Sequence, residues 1–472
     1  MPPRVQTTVF LSLILDLFAF TIPLPLFPRL IEWYTLRERS SPSGLLSRTL
    51  DAVRTIRGIL YKPGVQSERW DVVLLGGLMG SLFSALQFFV SPKIGALSDK
   101  YGRKKILLLT MVGNILSALV WMKSTTFASY ILSRVIGGLS EGNVQLAIAI
   151  LSDITTPANR SKALAHVGIA FAICFCIGPP IGAYFATRPL PSTIDSLGFE
   201  MNIYALPAFI TLVLLVLETI FLVIALPETR GVKVAEDAKQ KQEAAGRVKS
   251  KSAQPTKRTA KHRLQTLNTL RNFHFFFLAI FSGVEFTLTF LTFDLLDWNN
   301  TQNGKLMGSI GVVSALLQGG YVRRQASKIG EGKMARRGVA SCVLSFIFLG
   351  LMPLYVHSNP TLALRFLQLA AVCLAFTSAT VVNCLTAFAS FQCNDETADE
   401  GGSKYSAEHP DLAKGRALGK FRSSGQLGRA LGPLVACGLY WSFGPSVTYS
   451  LSAITMLGLF ITMKKIAARG SM

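Results

Sequence analysis

The stretch Gly95-Ala96-Leu97-Ser98-Asp99-Lys100-Tyr101-Gly102-Arg103-Lys104-Lys105 decides how the rest of the chain is read. It falls between two apolar runs, Val72–Ile94 and Lys105–Lys123, each close to the roughly 20 residues that a helix needs to cross a bilayer. The stretch therefore reads as a short turn joining two membrane helices. Gly102 supplies the positive φ that such a turn tends to need. Asp99 is a fixed negative charge at a helix boundary, able to face the positive N-terminal end of another helix. Arg103, Lys104 and Lys105 suit the headgroup layer on the cytoplasmic side.

Working outward, the composition agrees. Half of the 472 residues are apolar and only 16% are charged, against about 25% in a typical soluble chain. The mean hydropathy is +0.41. A net charge of +22 would suit nucleic acid in a soluble protein, but apolar spans make basic cytoplasmic loops the simpler source, so no nucleic-acid partner is expected. The seven cysteines have neither disulfide nor zinc spacing and read as small packing residues. No H-E-x-x-H, G-x-S-x-G or phosphate-binding loop is present, so neither an enzyme nor a metal or other cofactor is expected.

Twelve spans are predicted: Thr8–Leu30, Val72–Ile94, Lys105–Lys123, Phe127–Ile154, Ala163–Ala186, Tyr204–Leu226, Phe273–Trp298, Lys305–Val322, Gly338–Val356, Thr361–Phe391, Ala413–Leu439 and Gly444–Ile466. The fold class is an all-α membrane protein of two six-helix bundles, residues 1–226 and 273–472. They are joined by a linker, 227–272, that carries twelve Lys/Arg and four Asp/Glu. The loop charges favour both termini in the cytoplasm. The loop between spans 1 and 2 is the exception. It is basic and carries a helical-period apolar stripe (Leu46, Leu50, Val53, Ile56, Leu60) that suits an amphipathic helix on the outer interface. An acidic insert, Asn394–Asp411, separates spans 10 and 11.

The 95–105 turn resembles the signature loop of the major facilitator superfamily, G-x-L-[AS]-D-[KR]-x-G-[RK]-[RK], at every constrained position. The resemblance implies a gate latch built on Gly95, Asp99, Gly102, Arg103 and Lys104. Arg134, with Gly138 four residues on, resembles the family's intramembrane Arg motif. Arg134, Gly138, Glu141 and Gln145 step along one helical face, read as a cavity-lining stripe or as a self-satisfied Arg134–Glu141 pair. Gly178-Pro179-Pro180-Ile181-Gly182 resembles the G-P-x-x-G core of drug/proton antiporters, a hinge in which small residues permit close packing. Cys174 and Ala165 stand where the longer motif has glycines. The hinge recurs. Lys162-Ala163-Leu164 precedes Gly178-Pro179 as Arg416-Ala417-Leu418 precedes Gly432-Pro433, both offset by 254 residues (416 − 162 and 432 − 178). That is the parallel repeat of two halves. A degenerate counterpart of the latch, Gly319–Arg324, lacks the Asp, so the latch is expected on one half only.

A proton-coupled carrier needs a carboxylate inside the membrane that can gain and lose a proton. Asp16, Glu285 and Glu141 are the candidates. Asp294 and Glu218 are read as nearer helix ends. Asp16 resembles the first-helix Asp of drug/proton antiporters, and a structural cap is its alternative use. Arg422, Gln426 and Arg429 form one polar face of span 11. With Asn383, Gln145, Arg134 and Thr289 they are candidate cavity residues, suited to hold a substrate anion or to pair with Asp16 or Glu285. Arg422 also suits snorkelling to the cytoplasmic side. Phe18, Phe20, Phe286, Phe290 and Phe293 offer an aromatic wall or ordinary packing.

LFSALQ (Leu82–Gln87), RVIGGLSEGNV (Arg134–Val144), SGVEFTLTFLT (Ser282–Thr292) and QGGYVRR (Gln318–Arg324) resemble a eukaryotic tetracycline-transporter-like branch of the superfamily. The resemblance implies alternating access and transport of small amphiphilic organic solutes, anions favoured, by proton antiport in the plasma membrane or an acidic endomembrane. Partners are then the bilayer, the organic substrate and protons. A facilitator or symporter of a metabolite, and a non-transporting scaffold, are the alternatives.

Overall fold

The computed structural model of the protein describes residues 2–23, 26–38, 44–60, 68–186, 188, 201–230, 260–298, 300–393 and 409–464. The middle of the expected linker and most of the acidic 394–411 insert lie outside them. Among the described residues the regular structure is helical: α1 (Pro2–Thr21), α2 (Phe27–Arg37), α3 (Leu45–Leu60), α4 (Glu68–Tyr101), α5 (Arg103–Met122), α6 (Phe127–Ser140), α7 (Asn143–Ile154), α8 (Pro157–Ala186), α9 (Ala205–Ala225), α10 (Ala260–Leu296), α11 (Asn300–Leu317), a π turn (Gln318–Val322), α12 (Arg323–Ile329), α13 (Glu331–Tyr355), α14 (Pro360–Phe391), α15 (Lys414–Phe443) and α16 (Pro445–Thr462). Nine stretches among the described residues are long and apolar enough to cross a membrane, with α6 and α7 forming one of them. α15 is not among the nine; one face carries Arg422, Gln426 and Arg429, and Lys420 lies on the other side.

Several boundaries differ from the sequence reading, each for a local reason. The first span does not run to Leu30. α1 stops at Thr21 and α2 begins at Phe27, because Pro23 removes an N–H donor that would carry the helix on. Helix α10 begins at Ala260, so the last part of the expected 227–272 linker is helical. The fourth span is interrupted. Glu141 caps α6 in an extended conformation (ψ 102°) and Gly142 starts α7. The expected single face through Arg134, Gly138, Glu141 and Gln145 is therefore broken at Glu141. The eighth span contains the π turn where two glycines, Gly319 and Gly320, weaken the α-ladder.

Three apolar clusters hold the helices. One is built mostly from α10–α16, including Phe277, Phe346, Leu385 and Tyr449. A second joins α1, α5, α7, α8 and α9 through Leu13, Met111, Ile150 and Leu215. A third lies at the end of the bundle away from Asp99, around Tyr34, Trp121, Phe127 and Tyr204. Leu46 buries the first turn of α3 in this third cluster, so that helix is anchored in protein at one end and does not simply lie on an interface. Tyr34 Oη and Asn202 Nδ2 both donate to the Ser124 carbonyl, at 3.0 and 2.8 Å. Glu38 accepts the Phe127 N–H at 2.6 Å and so caps α6.

In lipid there is little hydrophobic drive between helices, and association rests on close packing of small residues. Helix α15 shows this on two faces. Gly415 and Gly419 lie against the α4 backbone at Gly95 and Ser91, while Gly425, Gly428 and Gly432 lie against α10 from His274 to Gly283. A methyl at Gly95 would collide with the Gly415 carbonyl.

Candidate functional site

At one end of the bundle, α4 turns into α5 through Gly102, whose φ of +104° is the left-handed value that favours glycine. A side chain there would also meet the Glu228 carboxylate. Glu228, just beyond α9, accepts the backbone N–H of Arg103 at 2.8 Å and of Lys104 at 3.2 Å, satisfying donors that the start of α5 leaves open. Lys104 Nζ reaches back to the Val223 carbonyl at 2.8 Å. The turn is thereby fixed to the end of α9.

Asp99 crosses to the second group of helices. Its two carboxylate oxygens accept the N–H groups of Gly415 and Arg416 at 2.8 and 2.7 Å, at the N-terminus of α15. The partial positive charge of a helix start attracts an anion there. Arg103, almost wholly buried, donates to Asp99 at 2.7 Å and to Asp153 at 2.9 Å. Asp153 in turn pairs with Lys414 at 3.2 Å. The result is an alternating network in which α15 contributes both its backbone and Lys414. Two further bonds tie the same groups: Ser423 Oγ to the Phe88 carbonyl at 2.6 Å, and Arg160 to the Ser390 carbonyl at 3.3 Å. Asp411, outside the spans, accepts Lys420 Nζ at 2.8 Å, and that hydrogen bond holds its carboxyl below the usual range. In the second group, Arg323 and Arg324 after the π turn are exposed.

Deeper in the bundle, charged side chains form a row across the two helix groups. Glu285 on α10 interacts electrostatically with Arg429 on α15. Arg422, two turns along α15, interacts with Glu141 at the α6–α7 break and with Asp16 on α1. Glu285 and Arg429 present accessible surface, whereas Arg422 and Glu141 are half-buried. Asp16 is buried and accepts Asn143 Nδ2 at 2.6 Å, while Thr110 Oγ1 donates to Asn143 Oδ1 at 3.1 Å.

A cavity of about 60 Å³ lies beside this row, lined by residues that include Asp16, Asn114, Trp121, Arg134, Glu141 and Thr211. Arg134 lies over the rings of Phe83 and Tyr130, at 5.6 and 5.8 Å. The remaining expected residues are placed differently. Gln145 is buried and donates to the Ser91 carbonyl at 3.1 Å, outside the cavity wall. Thr289 Oγ1 donates to the Phe286 carbonyl at 3.3 Å on its own helix. Asn383 and Gln318 lie against Gly168 of α8. Gln426 is half-buried on α15. Gly178 and Gly182 pack on Thr21 and Ile22 at the end of α1, and Gly432 packs on Ala279 and Ser282 of α10, so both hinge motifs seat their helix on another one. Pro179 and Pro433 lie inside α8 and α15.

One reading is overturned. Glu218 is not near an interfacial helix end. It is fully buried, and Ser12 Oγ donates to its Oε1 at 2.7 Å. Glu218 lies well inside α9 (Ala205–Ala225), and Ser12 of the neighbouring α1 covers it. Asn143, Asp153 and Lys414 were also missed, since their partners lie far away in sequence.

The family profile described as Major Facilitator Superfamily matches residues 9–407. Major facilitator superfamily domain-containing protein 10 of Mus musculus is 34% identical over 98% of this chain and 93% of its own length. Tetracycline resistance protein, class B, of Escherichia coli is 23% identical over 61% of this chain and 66% of its own. The crystal structure of the human organic anion transporter MFSD10 (TETRAN) superposes with a TM-score of 0.77 at 31% identity, covering 98% of this chain and 99% of that one.

Proposed function

We propose, from the premise that the chain belongs to the Major Facilitator Superfamily, that it is a proton-coupled secondary transporter of small amphiphilic organic anions. In this reading α4, α11 with its π turn, and α15 complete twelve spans, arranged as two six-helix bundles that rock about a midplane site. Both termini and the basic linker face the cytoplasm, in the plasma membrane or an acidic endomembrane, with the Asp99 network as the cytoplasmic latch. The observation that carries the reading is the row Glu285–Arg429–Arg422–Glu141–Asp16. A scaffold has no need to maintain charges that span two helix groups inside the bundle, with Asp16 buried and Glu141 and Arg422 half-buried, since each is expensive to hold away from water. The human relative described as an organic anion transporter supports the choice of anions.

The drug/proton resemblance makes antiport the first reading of the coupling. In antiport, proton and substrate exclude one another at the same acids, which suits a solute presenting positive charge or donors to Asp16 and Glu141. The place of Arg422 favours a second reading for anions. A substrate carboxylate that takes Arg422 leaves Glu141 and Asp16 without their cation, and a proton then neutralises the unpaired charge. Anion and proton assist one another's binding, and the coupling is symport.

The test is uptake of labelled organic anions and cations into proteoliposomes under imposed pH gradients of either sign, comparing wild type with Asp16→Asn, Glu285→Gln and Arg422→Lys. Acceleration by protons on the anion's own side supports symport, and acceleration by protons on the opposite side supports antiport. Flux indifferent to the gradient in all variants sinks proton coupling in favour of a facilitator.

A further inference from the structure

We infer that Glu218 is a second proton-binding site of the transport cycle, one helical turn from Asp16 and served through the α1–α9 group, not the substrate cleft. This rests on the proton-coupled reading above and extends it to a residue that lies outside the charge row.

The geometry sets Glu218 apart. It is wholly buried, Ser12 Oγ donates to Oε1 at 2.7 Å, and Oε2 has no hydrogen-bond partner among the described residues. The charged groups that act on it are both acids, Asp16 from α1 and Glu141 from the α6–α7 break. From α5 the cations are Arg103, paired with Asp99 and Asp153, the exposed Lys105, and Lys104, which is bound to the Val223 carbonyl about 7.5 Å further along the α9 axis at 1.5 Å per residue. From α8 the titratable groups are Cys174, whose thiol donates to the Ile14 carbonyl, and His166, bonded to Gln6. A carboxylate with acids as its electrical neighbours and no cation beside it is costly to keep charged. The neutral acid, with one oxygen accepting and the other carrying the proton, is the form that fits.

The same residues give it a path. On α9, Thr211 and Leu215 line the 60 Å³ cavity, and Glu218 follows them at i+7 and i+3, on the same helix face. On α1, Asp16 and Ala19 line the cavity, and Ser12 lies four residues before Asp16. The helices run in opposite directions, so Ser12 and Glu218 together extend the cavity's stripe by one turn toward the Asp99 end. The cavity is lined by residues from Asp16 to Leu215 and none from α10–α16. Its volume of about 60 Å³ leaves room for water, and the Trp121 indole N–H in its wall is a buried donor to which water would bond. Protons reach Asp16 through this polar chamber and pass to Glu218, while the anion is held at Arg422 and Arg429.

The experiment measures protons moved per substrate in proteoliposomes of the full chain, from the pH gradient that just cancels a fixed substrate gradient. Wild type is compared with Glu218→Gln and Ser12→Ala, with gradient-free substrate exchange recorded alongside. The expected result is that Glu218→Gln keeps exchange and moves one proton fewer per cycle. An unchanged proton count in an exchanging Glu218→Gln protein overturns the inference while leaving proton coupling intact. No proton movement in wild type sinks the coupling itself, and this inference with it. Should Glu218→Gln lose exchange, infrared spectra of wild type and Ser12→Ala decide: the carbonyl band of a protonated carboxyl must shift when the Ser12 hydrogen bond is removed, and an unmoved band overturns the assignment.

Discussion

Replacing Asp99 by Asn should open the latch. The amide keeps one carbonyl oxygen, so one of the two bonds to Gly415 and Arg416 survives and the other is lost. Loss of the charge at the α15 N-terminus removes about 0.3–1 kcal/mol, and loss of one charge-assisted hydrogen bond removes about 1.5–3 kcal/mol. Asp99 is only half-buried, which favours the lower part of those ranges, and a total of about 2–3 kcal/mol follows. At 1.4 kcal/mol per factor of ten, the population with the two helix groups joined at this end falls about 30- to 140-fold relative to the parted form. Spin labels at the exposed Lys105 and Arg324, in a background without the seven native cysteines, report the separation by pulsed dipolar spectroscopy. Asp99→Asn should move the distance distribution to longer values. An unchanged distribution in a folded, monodisperse protein would mean that the bonds to α15 do not bias the two states, and the latch argument would be refuted.

Gly95→Ala should act in the same direction without touching a charge, because the added methyl collides with the Gly415 carbonyl; the same labels should again show lengthening. Lys414→Met leaves Asp153 with Arg103 alone and should destabilise the joined form by about 3 kcal/mol, as expected when one partner of a buried pair is removed. The Lys414→Met/Asp153→Asn double variant should cost less than the sum of the two single changes, and additive effects in thermal unfolding would show that the pair is not coupled. Glu228→Ala uncovers the N–H groups of Arg103 and Lys104 and should lower stability by about 1–2 kcal/mol, read as a lower thermal midpoint in detergent.

The turn was legible in the sequence because its meaning is local: Gly102 demands a turn, and Asp99 at a helix end seeks a positive partner. Its partner was not legible. Nothing in residues 95–105 points to Gly415 more than three hundred positions away, although the small residues Gly415, Gly419, Gly425, Gly428 and Gly432 announce a helix packed closely on both sides. Among the described residues nine spans followed from apolar length, whereas the breaks at Pro23, Glu141 and Gln318 came from proline, an extended cap and a glycine pair that hydropathy averages away. Among the carboxylates, Asp16, Glu141 and Glu285 could be singled out by their depth. Glu218 was misjudged because distance from a helix end says little about burial once a neighbouring helix with Ser12 covers the site.

The glycine faces of α15 carry a thermal consequence. Where Gly415 and Gly419 meet Gly95 and Ser91, the surfaces that part are largely backbone, and the side chains that gain rotamer freedom as they separate are the few that bond across, Asp99, Lys414 and Ser423. Opening at this seam therefore carries a small conformational-entropy change, and its balance is set mostly by the enthalpy of a handful of polar bonds. The ratio of the two forms should drift only gently with temperature, by the van 't Hoff slope of those bonds, so that a carrier built this way keeps its gating poise between a cold membrane and a warm one.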